Sequence, residues 1–119
     1  MSTLKVNSIE PTNAGSEDFF LVRAWASVNQ TGVQSINADG NVSSITDNGL
    51  GDTTFNFTTN MVDGNYAFAS GAAGSTHTEL EFPTGEVNTA QTSSVCRMRM
   101  LRAGVSSSDH SQFTLTVTR

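Results

Sequence analysis

Apolar and polar residues alternate at every second position along most of the chain, which predicts β-strands throughout. The alternation is clearest at the C-terminal end, where Phe113, Leu115 and Val117 are interleaved with threonines. The same period recurs at Phe55 and Phe57, and at Cys96, Met98 and Met100. No segment carries a convincing helical period. We therefore predict an all-β fold, an antiparallel β-sandwich of about eight short strands joined by turns.

The segment 41–59 is predicted to form a β-hairpin. Its turn, residues 47–52, reads DNGLGD, and Asn and Gly tolerate the positive φ angles that tight hairpin turns require. After the turn, Phe55 and Phe57 point to one face of the second strand. In the first strand Val42 and Ile45 are three residues apart, so a regular strand would point them to opposite faces. That strand is therefore either buried on both faces or interrupted by a β-bulge.

Residues 19–28 form the most hydrophobic segment of the chain. Phe20 and Val22 point to one face, and Trp25 points to the other. A strand that is apolar on both sides lies between two layers or between subunits. We expect Phe20, Val22 and Trp25 to belong to a subunit or virion interface, although a core position is equally open for Trp25.

Residues 1–18 are predicted to be an extended N-terminal arm outside the β-sandwich domain of residues 19–119. Leu4, Val6 and Ile9 supply enough apolar side chains to add one strand to a sheet, and residues 11–18 are polar. Two interpretations remain open at this point. The arm is either a loose terminus or a strand that docks on a neighbouring subunit or on another protein.

Length, charge and cysteine content exclude several kinds of function for this chain. A chain of 119 residues suits one domain. The net charge of −5 and the isoelectric point near 4.7 argue against binding to nucleic acid or to an anionic membrane surface. No apolar run approaches the ~18 residues of a membrane-spanning helix or forms the core of a signal peptide. We therefore expect a protein made in the cytoplasm, with its single cysteine, Cys96, buried as a small apolar residue.

The candidate catalytic and metal-binding residues form no recognisable site. His77 and His110 lack metal-ligand spacing, and Asp47, Asn48 and Asp52 are too few for an EF-hand calcium loop. We therefore expect no enzyme activity, no metal and no cofactor. Asn48 and Tyr66 are candidate ligand contacts, since an aromatic ring can stack on a sugar. Four arginines are expected either to pair with acids across a subunit interface or to line a solvent-exposed face: Arg23, Arg97, Arg99 and Arg102.

Several motifs together resemble a family of bacteriophage proteins. They are NVSSITDNG at residues 41–49, the alternating FNFTT at 55–59, NYA at 65–67, and RAW at 23–25 followed by NQTG at 29–32. Together with the leader STLKVN at 2–7, they are similar to a small β-domain found at the ends of tail-fibre and appendage proteins, notably in marine phages and cyanophages. The family usually has V-N-F where this chain has Ala26, Ser27 and Val28.

The resemblance implies a virion structural protein, a tail-fibre or appendage knob assembled as a homotrimer, with the virion as its location. Its partners would be other copies of itself, other virion proteins and a host cell-surface glycan touched by exposed loops. Two alternatives stay open. One is a glycan-binding receptor module, and the other is a capsid decoration protein that attaches through residues 1–18.

Overall fold

The computed structural model describes residues 2–5, 21–73, 81–85, 91–102 and 108–119, and within them the fold is all-β. The strands form two four-stranded sheets, one with the order β2-β1-β8-β5 and the other β3-β4-β7-β6. We call these sheet A and sheet B. Their strands are β1 (Val22–Asn29), β2 (Ser35–Gly40), β3 (Val42–Gly49), β4 (Asp52–Phe57), β5 (Ala67–Ala73), β6 (Glu81–Gly85), β7 (Val95–Arg102) and β8 (Gln112–Thr118). The pairings within both sheets are antiparallel, which confirms the predicted fold class.

Strands β3 and β4 form the predicted hairpin. Gly49 and Gly51 have φ angles of 121° and 66°, which an L-residue with a side chain rarely adopts. The Asp47 carboxylate fixes the turn, because its Oδ1 accepts a hydrogen bond of 2.9 Å from the Gly49 N–H. The register shifts between Val42 and Ser44. Of the two alternatives for the first strand, the β-bulge is therefore correct.

The core lies between the inner faces of the two sheets. Phe55 of sheet B meets Phe113 of sheet A, with ring centroids 6.1 Å apart. Burying a side chain of this size contributes roughly 1.5–3 kcal/mol. The residues predicted from the period of two are buried in this core, including Phe55, Phe57, Cys96, Met98, Met100, Phe113, Leu115 and Val117. Burial raises the pKa of the Cys96 thiol to about 11, so it is neutral, as expected of an apolar core residue.

Two segments are strands where the sequence predicts loops or breaks. Glycine and alanine at residues 71–74 predict a flexible loop, yet Gly71, Ala72 and Ala73 pair with β8 as the end of β5. Pro83 is expected to break a strand, yet it lies inside β6. Strand β6 is at the edge of the described sheet, and proline is tolerated on edge strands because only one side of such a strand takes part in the ladder. The rest of the strand predicted up to residue 82 lies outside the described residues.

A buried polar cluster closes one end of the sandwich, and we call it the Gln30 cluster. Gln30 is fully buried; its Nε2 donates to Thr53 Oγ1 over 3.0 Å, and its Oε1 accepts from the His110 N–H over 3.3 Å. Thr53 Oγ1 donates in turn to Gln34 Oε1 over 2.5 Å. Gln30 is predicted only as a turn residue, whereas the structure shows that it ties both sheets to a loop 80 residues away.

Candidate interaction surface

In the described residues, uncharged side chains occupy the middle of the outer face of sheet A, and the exposed Arg23 of β1 lies at one end of it. In β1 and β8, the alternate residues Ala24, Ala26, Val28, Phe113, Leu115 and Val117 are buried, and the residues between them point outward, as do their neighbours in β5. The outward rows lie side by side, because Trp25 is opposite Thr116, which is opposite Ala69. We call this surface face A; it consists of Trp25, Ser27, Ala67, Ala69, Gly71, Thr114, Thr116 and Thr118. It is a sheet surface of small, uncharged side chains with one large aromatic ring.

Trp25 is the largest side chain of face A, and it is 44% exposed. Its indole lies over Gly40 of β2, the residue opposite it in the ladder. A Cβ atom at position 40 would come within 2.3 Å of the indole Nε1, so only glycine leaves room for the ring. Leu21 and Val22, just before Trp25, are 45% and 55% exposed. An aromatic and two aliphatic side chains therefore lie exposed on β1 and on the residue just before it, and β1 is not at the edge of its sheet.

Half of the predicted interface residues are among the described ones, and all of those are exposed. Val22 and Trp25 lie at or beside face A, and Leu4 is 86% exposed. Val6, Ile9 and Phe20 lie outside the described residues. For Trp25, the core position that the sequence left open is wrong, and an interface remains a prediction.

A cleft of about 320 Å³ opens beside the start of β1, lined by Arg23, Asn41, Arg119 and residues 59–62. Asn41 builds it, because this residue has a φ of 60° and its amide bridges two segments. The Asn41 Nδ2 donates to the main-chain oxygens of Arg23 and Thr59, and its Oδ1 accepts from the Thr59 N–H. The loop after β4 is thereby held against β1.

Charges at this end of the sandwich are largely matched within the chain. Arg119 donates a hydrogen bond to the Asp63 carboxylate. That bond holds the pKa of Asp63 below its usual value and raises the pKa of Arg119. Arg23 Nε donates to the main-chain oxygen of Arg119 over 3.0 Å. Arg23 and Arg119 therefore each bond to a distant part of their own chain. The exposed Val62 adds an apolar side chain to the cleft.

The outer face of sheet B is polar, unlike face A. Asp52 is 2% exposed there and accepts two hydrogen bonds from Arg97, of 3.0 and 2.7 Å, while Arg99 Nε lies 3.6 Å from its Oδ2. Arg97 therefore pairs with an acid of its own chain, a possibility that the sequence interpretation did not include. The described residues contain no group of three or more His, Cys, Asp or Glu that could hold a metal ion.

The two candidate ligand contacts have different positions. Asn48 is exposed, and its Nδ2 donates to Thr54 Oγ1 over 2.7 Å. Tyr66 is buried in the core, where its hydroxyl donates to the Val95 carbonyl over 2.8 Å and its ring stands edge-on to Phe57. Burial raises the pKa of Tyr66, and the nearby Cys96 adds to this shift. These positions correct the expectation that Tyr66 contacts a ligand.

Comparison with protein-family models, curated proteins and solved structures finds no match to this chain. Among the described residues, no helix is long and apolar enough to cross a membrane. The candidate interaction surface is therefore described from the geometry of this chain alone. Its most distinctive part is face A together with the exposed Leu21 and Val22.

Proposed function

We propose that this chain is a non-enzymatic structural protein of a tailed-phage virion, a tail-fibre or appendage knob that assembles through its β-sheet surfaces. The observation that carries the proposal is face A, an uncharged sheet surface beside exposed apolar side chains. Contiguous exposed apolar surface marks interaction sites. The motif resemblance supports the virion context, and most of its central segment, residues 41–49, lies in strand β3 of the hairpin.

The partner at face A is a second copy of this chain. Identical copies with a net charge of −5 repel one another, and a surface without charged groups is where that repulsion is weakest. In a homotrimer, three such faces surround the symmetry axis, and the exposed Arg23 lies at one end of each face. Leu21, Val22 and Trp25 are each roughly half exposed, so burying them completely would contribute about 1 kcal/mol per side chain.

Light scattering after size-exclusion chromatography tests the assembly. We expect a mass three times the 12.6 kDa of the chain at micromolar concentration. Trp25→Ser should shift the protein toward monomer, because it removes the largest apolar contact of face A. Val33→Ser is the matched control, since Val33 is 92% exposed and lies in the turn before β2. A wild-type protein that runs as a monomer would contradict the homotrimer.

Localisation on the particle tests the virion role. Cryo-electron microscopy of particles that carry an antibody-labelled copy should place the protein on the tail or an appendage. Density on the head would instead favour the capsid-decoration alternative. Absence of the chain from purified particles would refute the structural role altogether.

A further inference from the structure

The described part of the two sheets has four edge strands, and three of them carry features that oppose pairing with another strand. Strand β2 contains Asp39 and an irregular register opposite β1. Strand β3 has two register shifts and contains Asp47. Strand β6 contains Glu81 and Pro83, and proline has no N–H to donate.

Strand β5 differs from these three. Its sequence, AFASGAA, has no charged residue and no proline. It pairs with β8 over all seven residues without a register shift. Within the described residues no strand lies on its other side. A regular, uncharged edge of this length is a template for an added strand.

The direction of the free main-chain groups follows from Gly71. The Gly71 N–H donates to Thr114 Oγ1, and Thr114 Oγ1 donates to the Gly71 carbonyl, so both groups of Gly71 face β8. Main-chain groups alternate between the two sides of a strand. The N–H and C=O groups of Phe68, Ser70 and Ala72 therefore point toward the open edge.

We propose that this edge binds the N-terminal segment of a second copy of the chain as an added β-strand. Residues 2–5 are described and exposed, and the Leu4 side chain, 86% exposed, is not packed on its own domain. Leu4 and Val6 have the two-residue spacing that places both on one face of a strand. The fifteen residues from 6 to 20 can span up to about 50 Å when extended, enough to reach another subunit.

The added strand would also extend sheet A, so the exchange and the contact at face A reinforce each other. If each arm binds the next subunit, three copies close a ring with every edge filled. The inference rests on the proposed assembly role, because it assigns that assembly its connecting element.

Substitutions at Ala72 test the edge in the full-length protein. Ala72→Pro removes an N–H that faces the open edge and leaves the hydrogen bonds to β8 intact. Ala72→Lys keeps the N–H and places a charge at the edge, so it opposes strand addition by a second route and still tests the edge if the proline variant folds poorly. Ala72→Ser keeps both features and is the matched control. We expect the proline and lysine variants to raise the concentration at which the oligomer dissociates by about tenfold or more, because several main-chain hydrogen bonds are lost.

A complementation experiment identifies the occupant. The double variant Leu4→Asp/Val6→Asp has an intact edge and a disabled arm, and Ala72→Pro has the reverse. At a concentration above the dissociation point of the wild type and below that of the variants, each should be monomeric alone. An equimolar mixture should then form a complex of one copy of each, seen as twice the chain mass by native mass spectrometry. No complex in the mixture at that concentration, or dissociation of Ala72→Pro and Ala72→Lys at the same concentration as the wild type, would overturn the inference.

The same measurements separate this inference from the proposed function. A chain that is found on the virion but is monomeric in solution would retain its structural role and lose the arm exchange. A chain that complements as expected but is absent from particles would retain the exchange and lose the virion role.

Discussion

Replacing Thr53 with valine should destabilise the protein through a single hydroxyl group. Thr53 is fully buried, and its Oγ1 accepts from Gln30 Nε2 over 3.0 Å and donates to Gln34 Oε1 over 2.5 Å. Valine has nearly the same shape and the same β-branching, so strand propensity and packing volume change little. What changes is that the buried Gln30 amide loses its hydrogen-bond acceptor.

The size of the effect follows from the burial of the partners. A buried donor left without a partner costs about 1–3 kcal/mol. Gln34 is partly exposed, so water can replace its lost donor and it adds little. The extra methyl group of valine recovers part of the loss, about 0.5 kcal/mol. We expect a net decrease of about 1.5 kcal/mol in the free energy of unfolding.

Urea unfolding monitored by circular dichroism measures this change. With a typical slope of about 1.5 kcal/mol per molar, the midpoint should fall by about 1 M. Thr58→Val is the control, because Thr58 is exposed, and it should stay within about 0.5 kcal/mol of wild type. The double variant Thr53→Val/Gln30→Met removes both partners, so its loss should fall short of the sum by about 1 kcal/mol or more. A Thr53→Val protein as stable as wild type, or strictly additive variants, would refute a coupled cluster.

Two further perturbations address the core thiol and the buried ion pair. Burial raises the pKa of Cys96 from 9.0 to about 11, so the thiol ionises more readily in the unfolded chain than in the folded one. The free energy of unfolding should therefore be constant below pH 9.0 and fall by up to about 3 kcal/mol as the pH rises toward 11. A Cys96→Ala protein that loses as much stability as wild type between pH 8 and 11 in urea titrations would contradict this. Asp52→Asn should cost about 2 kcal/mol in thermal or urea unfolding, less than a fully buried pair because the Arg97 side chain is 29% exposed. Asp39→Asn is its control, because Asp39 is exposed on the edge strand β2, and equal losses in both variants would argue against a special role for the Asp52 pair.

The sequence predicted the parts of the fold that depend on local alternation. Phe55, Phe57 and the C-terminal strand are buried as expected, because a period of two fixes which side chains share a face. The hairpin turn was predictable because few residues other than Asn and Gly tolerate a positive φ angle. The odd spacing of the apolar residues Val42 and Ile45 was a usable signal of the β-bulge between them.

Features that depend on distant partners were not predictable in this way. Residues 71–73 have the composition of a loop, and only the ladder with β8, more than 35 residues away, makes them a strand. Gln30 follows a strand and precedes a glycine turn, so nothing local indicates that its side chain is buried against Thr53 and the main chain of His110. Tyr66 was expected to contact a ligand because an aromatic ring beside a turn can stack on a sugar, and only its contacts with Phe57 and the Val95 carbonyl show that the ring is in the core.

The position of Trp25 has a practical consequence for spectroscopy. The chain has a single tryptophan, so its fluorescence emission comes from one place, an indole that rests on Gly40 with almost half of its surface in water. Indole emission shifts to shorter wavelength when water leaves the ring. The molecule therefore contains an intrinsic optical probe at its proposed contact surface, and a dilution series read in a fluorimeter follows the state of that surface without any added label.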